Sequence, residues 1–146
     1  MTLDWTTQKA LRQARFTMLT CAFVAPGLYA GAITMEILRG HWIRFFQSPG
    51  RIPWADPRAR VLAGLALAAL AGALTLPGRI RSARSPLGAL RVRTLLASLL
   101  LLVVALCGLY TGMKLGSAAA PLAMAMLAAP PAVGLLLFPT ARRWGG

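Results

Sequence analysis

Four long stretches of this chain are apolar and almost free of charged residues. They are residues 16–38, 59–77, 95–113 and 115–139, and the second is the shortest. Each has roughly the 17 to 25 residues that an α-helix needs to cross a hydrocarbon core about 30 Å thick. Because 58% of the residues are hydrophobic and only 13% are charged, the composition is not that of a soluble domain. We therefore predict an all-α integral membrane protein with four transmembrane helices in one domain, residues 1–146.

The basic residues are divided unequally between the two sides that this topology creates. One side carries ten of them: Lys9, Arg12, Arg15, Arg79, Arg81, Arg84, Arg91, Arg93, Arg142 and Arg143. The other side carries six: Arg39, Arg44, Arg51, Arg58, Arg60 and Lys114. The positive-inside rule therefore places both termini and the basic loop 78–94 in the cytoplasm, which we expect to be that of a bacterial cell with the chain in its inner membrane.

The first apolar stretch also has features of a secretory signal peptide. Lys9, Arg12 and Arg15 precede it, and the small residues 30–32 resemble a cleavage site. We expect the stretch to remain in the chain as its first span.

The net charge of +13 raises the question of a nucleic-acid partner. The charges are split between two sides of a membrane, and no nucleic-acid-binding motif accompanies them. Anionic lipid headgroups are the expected partner, since each basic residue next to a membrane contributes about 1 kcal/mol toward an anionic surface. The candidate headgroup-binding residues are Arg79, Arg81, Arg84, Arg91 and Arg93. The alternative is that this cluster serves only to fix the topology.

Two short strings recur along the chain. GLYAG at 27–31 resembles GLYTG at 108–112, and LTLPGRIR at 74–81 resembles LLFPTARR at 136–143. Two related helical hairpins, the first with a longer outer loop, would explain both pairs, as parallel repeats do in some transporter folds. Chance similarity in a chain rich in Gly, Leu, Pro and Arg is the alternative.

Glycines at a spacing of four residues predict close helix packing. Such residues let helix backbones approach each other, and in lipid this contact drives helix association. The candidates are Gly27 and Gly31 on the first span, Gly64 and Gly72 with the small Ala68 between them on the second, and Gly108, Gly112 and Gly116 near the third. In the fourth span, Pro130 and Pro131 remove two backbone donors, which predicts a kink or a break near the middle of the membrane.

The loop 39–58 is the candidate interfacial segment on the outer side. Its aromatic and imidazole side chains are His41, Trp42, Phe45, Phe46 and Trp54. This pattern predicts a short amphipathic helix that lies on the outer leaflet. Asp56 followed by Pro57 predicts the start of the next helix, because the carboxylate can accept hydrogen bonds from exposed amides.

Enzyme signatures are missing from the sequence. It has no HExxH, GxSxG, GxxxxGK[ST] or CxxC motif, no cluster of metal ligands and no motif for a cofactor. Cys21 and Cys107 lie in parallel spans at different depths, so we expect buried thiols and no disulfide between them.

Glu36, one of only three acidic residues, lies near the outer end of the first span. An ionised carboxylate inside a membrane is costly, so it should have a partner. Lys114 at the end of the third span is the first candidate for an ion pair, and Arg39 is the second. The alternative is a proton or cation site in which Tyr29 and Tyr110 flank Glu36.

These observations lead to two hypotheses about function. The first is a non-catalytic accessory or assembly subunit that docks a larger energy-transducing or transport complex through its glycine faces and its outer loop. The second is a small dimeric transporter or channel, coupled to protons or cations through Glu36. The scarcity of polar residues in the middle of the spans favours the first hypothesis.

Overall fold

The computed structural model describes residues 4–40, 55–80, 85–114 and 120–140, and its regular elements are four α-helices. They are α1 (Trp5–Leu38), α2 (Pro57–Arg79), α3 (Pro86–Lys114) and α4 (Ala120–Leu136). No strand occurs in these ranges. The prediction of an all-helical chain with four helices is confirmed.

The helices α1, α2 and α3 are each long and apolar enough to cross a membrane. The helix α4 has 17 residues, which rise by about 25 Å. Among the described residues, α4 is therefore the shortest of the four helices. The first five residues of the predicted fourth span, 115–119, lie outside the described residues.

Two helix ends follow directly from local sequence. The side chain of Asp56 accepts a hydrogen bond from the backbone N–H of Arg58 at 2.9 Å, with Pro57 in the first turn of α2, so the predicted helix start is confirmed. At the end of α1, Gly40 adopts a φ of 79°, which favours glycine, and its N–H donates to the carbonyl of Ile37 at 3.0 Å.

The helices α1 and α3 begin well before their apolar stretches. Their N-terminal turns pack together through a cluster formed by Ala10, Leu11 and Ala14 of α1 and Leu90 of α3. The second half of the predicted basic loop is consequently the beginning of α3, which starts at Pro86.

The helix α3 lies at the centre and packs against the other three helices. The helix α2 meets it through small side chains repeated every three or four residues: Ala63, Ala66, Ala69 and Ala73. Leu101 of α3 lies in a cluster that also contains Met18 of α1, Ala73 of α2 and Val133 of α4. The pairing of α1 with α2 as a hairpin stays a prediction, because the close contacts of both helices are with α3.

The prolines of α4 lie within a continuous helix. Pro130 and Pro131 both fall inside Ala120–Leu136, so the helix is not broken at this pair, and the predicted alternative of a kink stays a prediction. Each proline removes one intrahelical hydrogen bond, to the carbonyls of Met126 and Leu127. The same two residues pack against Gly108 of α3, and this contact holds the segment against its neighbour.

Much of the apolar surface of the helices is left uncovered by the chain itself. Within the most apolar 18 residues of each long helix, 22% are buried in α1 and in α2, and 44% in α3. A water-soluble domain of this composition would bury far more of these side chains. Most of the residues in these apolar windows are therefore not buried within the described part of the chain.

Candidate functional site

The string GLYTG on α3 is packed on both of its glycines. A Cβ added to Gly108 would lie 2.8 Å from the Cβ of Met126 and 3.1 Å from the backbone nitrogen of Leu127, so α3 and α4 touch backbone to backbone there. A Cβ added to Gly112 would lie 2.9 Å from the hydroxyl oxygen of Tyr29. Small residues at these positions permit the close approach of the helices.

The matching string GLYAG on α1 is in a different environment. A Cβ on Gly27 or Gly31 would meet no described atom within 4 Å. From Ala30 to the end of α1 every residue is exposed except the half-buried Ile33. The C-terminal part of α1 therefore carries a glycine face that the described residues leave open.

The helix α2 divides its small residues between two faces. Gly72 contacts Leu100 of α3, with 3.3 Å between an added Cβ and the leucine Cδ1. Gly64 has no described atom within 4 Å of such a Cβ, and α3 instead packs on the alanine face. The remaining predicted packing glycine, Gly116, lies outside the described residues.

The two tyrosines of the matched strings lie in separate surroundings. Tyr29 is 5% exposed and belongs to a cluster with Ala25, Ala105 and Leu127. Tyr110 is 47% exposed and lines a groove between α2 and α3. The structure thus does not bring them together in one described cavity.

Glu36 and Lys114 are both exposed near the C-terminal ends of α1 and α3. Tyr29 is level with Gly112, so Lys114 lies two residues beyond this contact and Glu36 seven residues beyond it. The difference of five residues corresponds to about 7.5 Å along the helix axis. Arg39, the second candidate partner, follows α1 directly. The ion pair and the alternative proton or cation site both stay predictions.

Two arginines bind backbone carbonyls just beyond the ends of neighbouring helices. Arg93 on α3 donates through Nε to the carbonyl of Ile80, which follows α2, at 2.8 Å. Arg15 on α1 donates through Nε to the carbonyl of Pro139, which follows α4, at 2.9 Å. The guanidinium of Arg15 also lies 5.1 Å from the centre of the Phe138 ring.

These two contacts were not predicted from the sequence. A signal for them was present in the strings LTLPGRIR and LLFPTARR, which contain Ile80 and Pro139. Both residues lie just beyond a helix end, where backbone carbonyls lack helical donors and can accept from a side chain. Of the other candidate headgroup residues, Arg79 and Arg91 are exposed. Arg81 and Arg84 lie outside the described residues.

The buried part of the described helices contains few polar side chains. They are Thr94, Ser98 and Thr111, all on α3. The hydroxyl of Thr111 donates to the carbonyl of Cys107 at 2.7 Å, whereas the Ser98 hydroxyl has no hydrogen-bond partner among the described residues. Cys21 and Cys107 are free thiols; Cys107 is buried as predicted, whereas Cys21 is only half-buried.

Several predicted features fall outside the described residues. The interfacial side chains His41, Trp42, Phe45, Phe46 and Trp54 all lie between residues 41 and 54. Among the residues that the structure describes, no three His, Cys, Asp or Glu side chains are grouped so that they could hold a metal ion.

Comparison of the chain with models of protein families, with curated proteins and with solved structures finds no match.

Proposed function

We propose that this chain is a non-catalytic accessory subunit that is integrated in a membrane and docks a larger membrane complex through the open face of α1. The observation that carries the proposal is the contrast between the two glycine strings. Gly108 and Gly112 are packed within the chain, while Gly27 and Gly31 have no described atom against them. We infer that GLYAG on α1 also serves helix packing, and that its partner is a helix from another subunit.

A glycine pair on the surface of a membrane helix favours contact with another helix. Flexible lipid chains make van der Waals contacts with leucine as readily as with glycine, so glycine gives a lipid-facing helix no additional contacts. A neighbouring helix does make additional van der Waals contacts, because its backbone can approach the glycines more closely. The surrounding side chains of this face are apolar and exposed, among them Phe23 and Met35.

The nature of the buried residues supports a scaffold rather than a transport path. A transporter needs polar or ionisable groups along a route through the middle of the membrane. The buried side chains of the described helices are apolar apart from two threonines, one serine and the hydroxyl of Tyr29, and none of them is charged.

The proposed orientation has both termini in the cytoplasm of a bacterial cell, with the chain in the inner membrane. The ten basic residues on the terminal side support it. On that side Arg79 and Arg91 are exposed and available to anionic lipid headgroups, whereas Arg93 binds the carbonyl of Ile80. Two related hairpins remain our proposal for the origin of the chain.

The test is affinity purification of the tagged chain from its native membrane in a mild detergent, with co-purifying chains identified by mass spectrometry. We expect a stoichiometric partner subunit that is lost when Gly27 and Gly31 are both changed to Leu. The matched control is Gly64→Leu, which changes an equally open glycine on α2. It should retain the partner.

A chain that purifies as a solitary homo-oligomer would contradict the accessory role. In that case a flux assay on Glu36→Gln would test the alternative of a proton- or cation-coupled transporter.

A further inference from the structure

An open apolar groove lies between α2 and α3 toward the C-terminal end of α3. Its volume is ≈ 480 Å³, within the range of about 300–1,000 Å³ that is typical of ligand sites. The lining residues that matter here are Leu62 and Leu65 on α2, and Val103, Leu106, Tyr110 and Lys114 on α3. All but the last two are aliphatic, so the groove suits a hydrocarbon chain.

The length of the groove corresponds to one leaflet of a bilayer. From Val103 to Lys114 the helix α3 rises by about 16 Å. This is close to half of a hydrocarbon core about 30 Å thick. A single acyl chain from one leaflet therefore fits along the groove with its headgroup at the Lys114 end.

The mouth of the groove is cationic. Gly72 of α2 packs on Leu100 of α3, and the two helices run in opposite directions. Arg58 lies fourteen residues before Gly72, and Lys114 lies fourteen residues after Leu100, so these two residues are at the same level along the helix pair. Both side chains are exposed. Asp56, the acidic residue closest in sequence, uses its carboxylate on the backbone N–H of Arg58. An anion at this level of the groove is attracted to both cations.

Tyr110 adds a neutral donor to this mouth. It lies four residues before Lys114, so the two side chains share one face of α3. Its phenol is half exposed at the wall of the groove, where a hydroxyl can bind the phosphate or ester oxygens of a lipid.

We propose that this groove binds one anionic phospholipid, with an acyl chain along Leu65 and Leu106 and its phosphate between Lys114 and Arg58. The proposal rests on the membrane integration proposed above and not on the accessory role. A second copy of the chain is a poorer occupant, because each copy carries a net charge of +13 and only three acidic residues. The site lies at the opposite end of α3 from Arg91 and Arg93.

The test uses the full chain in nanodiscs that contain equal amounts of phosphatidylcholine and phosphatidylglycerol, followed by native mass spectrometry of the released protein. We expect one phosphatidylglycerol to be retained per chain, in preference to phosphatidylcholine. Lys114→Gln should lower this retention about fivefold, the effect of one basic residue at an anionic lipid. Leu106→Trp should lower it without any change of charge, because the indole fills the groove.

Lys9→Gln is the matched control, since it removes an exposed cation at the other end of the chain. It should leave retention unchanged, and circular dichroism should show unchanged helix content in every variant. Equal retention of both lipids, or a Lys114→Gln variant that retains phosphatidylglycerol like the unchanged chain, would overturn the proposal. So would a lipid-free homodimer. A chain that fails to enter nanodiscs would overturn the membrane integration itself, whereas loss of the accessory role would leave lipid retention intact.

Discussion

The ring of Tyr29 on α1 lies directly against the backbone of Gly112 on α3. A Cβ at residue 112 would lie 2.9 Å from both the Cζ and the hydroxyl oxygen of the tyrosine. Tyr29 is 5% exposed, so its ring cannot move aside without disturbing the residues packed around it. The contact between α1 and α3 at this level therefore depends on the absence of a side chain at residue 112.

Gly112→Ala should destabilise the protein even though alanine is the better helix former. The added methyl group overpacks the Tyr29 contact, and we expect the free energy of unfolding to fall by about 1 to 3 kcal/mol. The measurement is denaturant unfolding in detergent micelles, followed by circular dichroism.

Gly31→Ala is the matched control, because it occupies the same place in the string GLYAG and has no described atom nearby. It should be neutral or gain up to about 1 kcal/mol from helix propensity. In the double variant with Tyr29→Ala, the cost of Gly112→Ala should largely vanish. Equal midpoints for the two glycine variants would show that the contact is not formed.

The sequence identified the glycines of α3 but not their partners. A spacing of four residues determines which side chains share a helix face. It does not determine the register of the neighbouring helix. Tyr29 of GLYAG contacts Gly112 of α3 and not Tyr110, which occupies the matching place in GLYTG. On α2 the small residues occur all round the helix, so the sequence could not distinguish the alanine face that meets α3 from the face with Gly64.

Hydropathy predicted the number of helices but not their ends. It marks where a chain can contact lipid, and a helix continues as long as its turns find other contacts. The N-terminal turns of α1 and α3 find them in each other, through Leu11 and Leu90. In α4 the helix continues through both prolines, where packing of Met126 and Leu127 on Gly108 holds the segment against α3.

Arg93→Gln should loosen the end of α2. The guanidinium of Arg93 donates to the carbonyl of Ile80 at 2.8 Å from a half-buried position, and loss of such a charged donor costs about 1 to 2 kcal/mol. Hydrogen exchange of the amides in the last turn of α2 should become faster. Arg91→Gln, which removes an exposed arginine two residues away, is the control and should leave exchange there unchanged. Similar exchange in both variants would argue against the tether.

Ser98→Ala should stabilise the protein or leave it unchanged. The serine is 2% exposed, and its hydroxyl has no hydrogen-bond partner among the described residues. Removing a buried polar group without a partner avoids a desolvation penalty of about 1 to 3 kcal/mol. Thermal unfolding in micelles measures the effect, with Ala97→Ser as the reverse change at a neighbouring buried position. A clear loss of stability in Ser98→Ala would reveal a bound group on this hydroxyl.

Both termini should report the same side of the membrane. The Nε of Arg15, at the start of the apolar part of α1, donates to the carbonyl of Pro139 beyond α4, so the beginning of the first span lies beside the end of the fourth helix. If the chain spans a membrane, this contact requires an even number of membrane crossings between Arg15 and Pro139, so α4 must cross although it has only 17 residues. Fluorescent-protein fusions at either end should therefore fluoresce, and alkaline phosphatase fusions should be inactive, if the side with ten basic residues is cytoplasmic. Opposite signals from the two ends would mean that α4 does not cross, and the contact between Arg15 and Pro139 could not form.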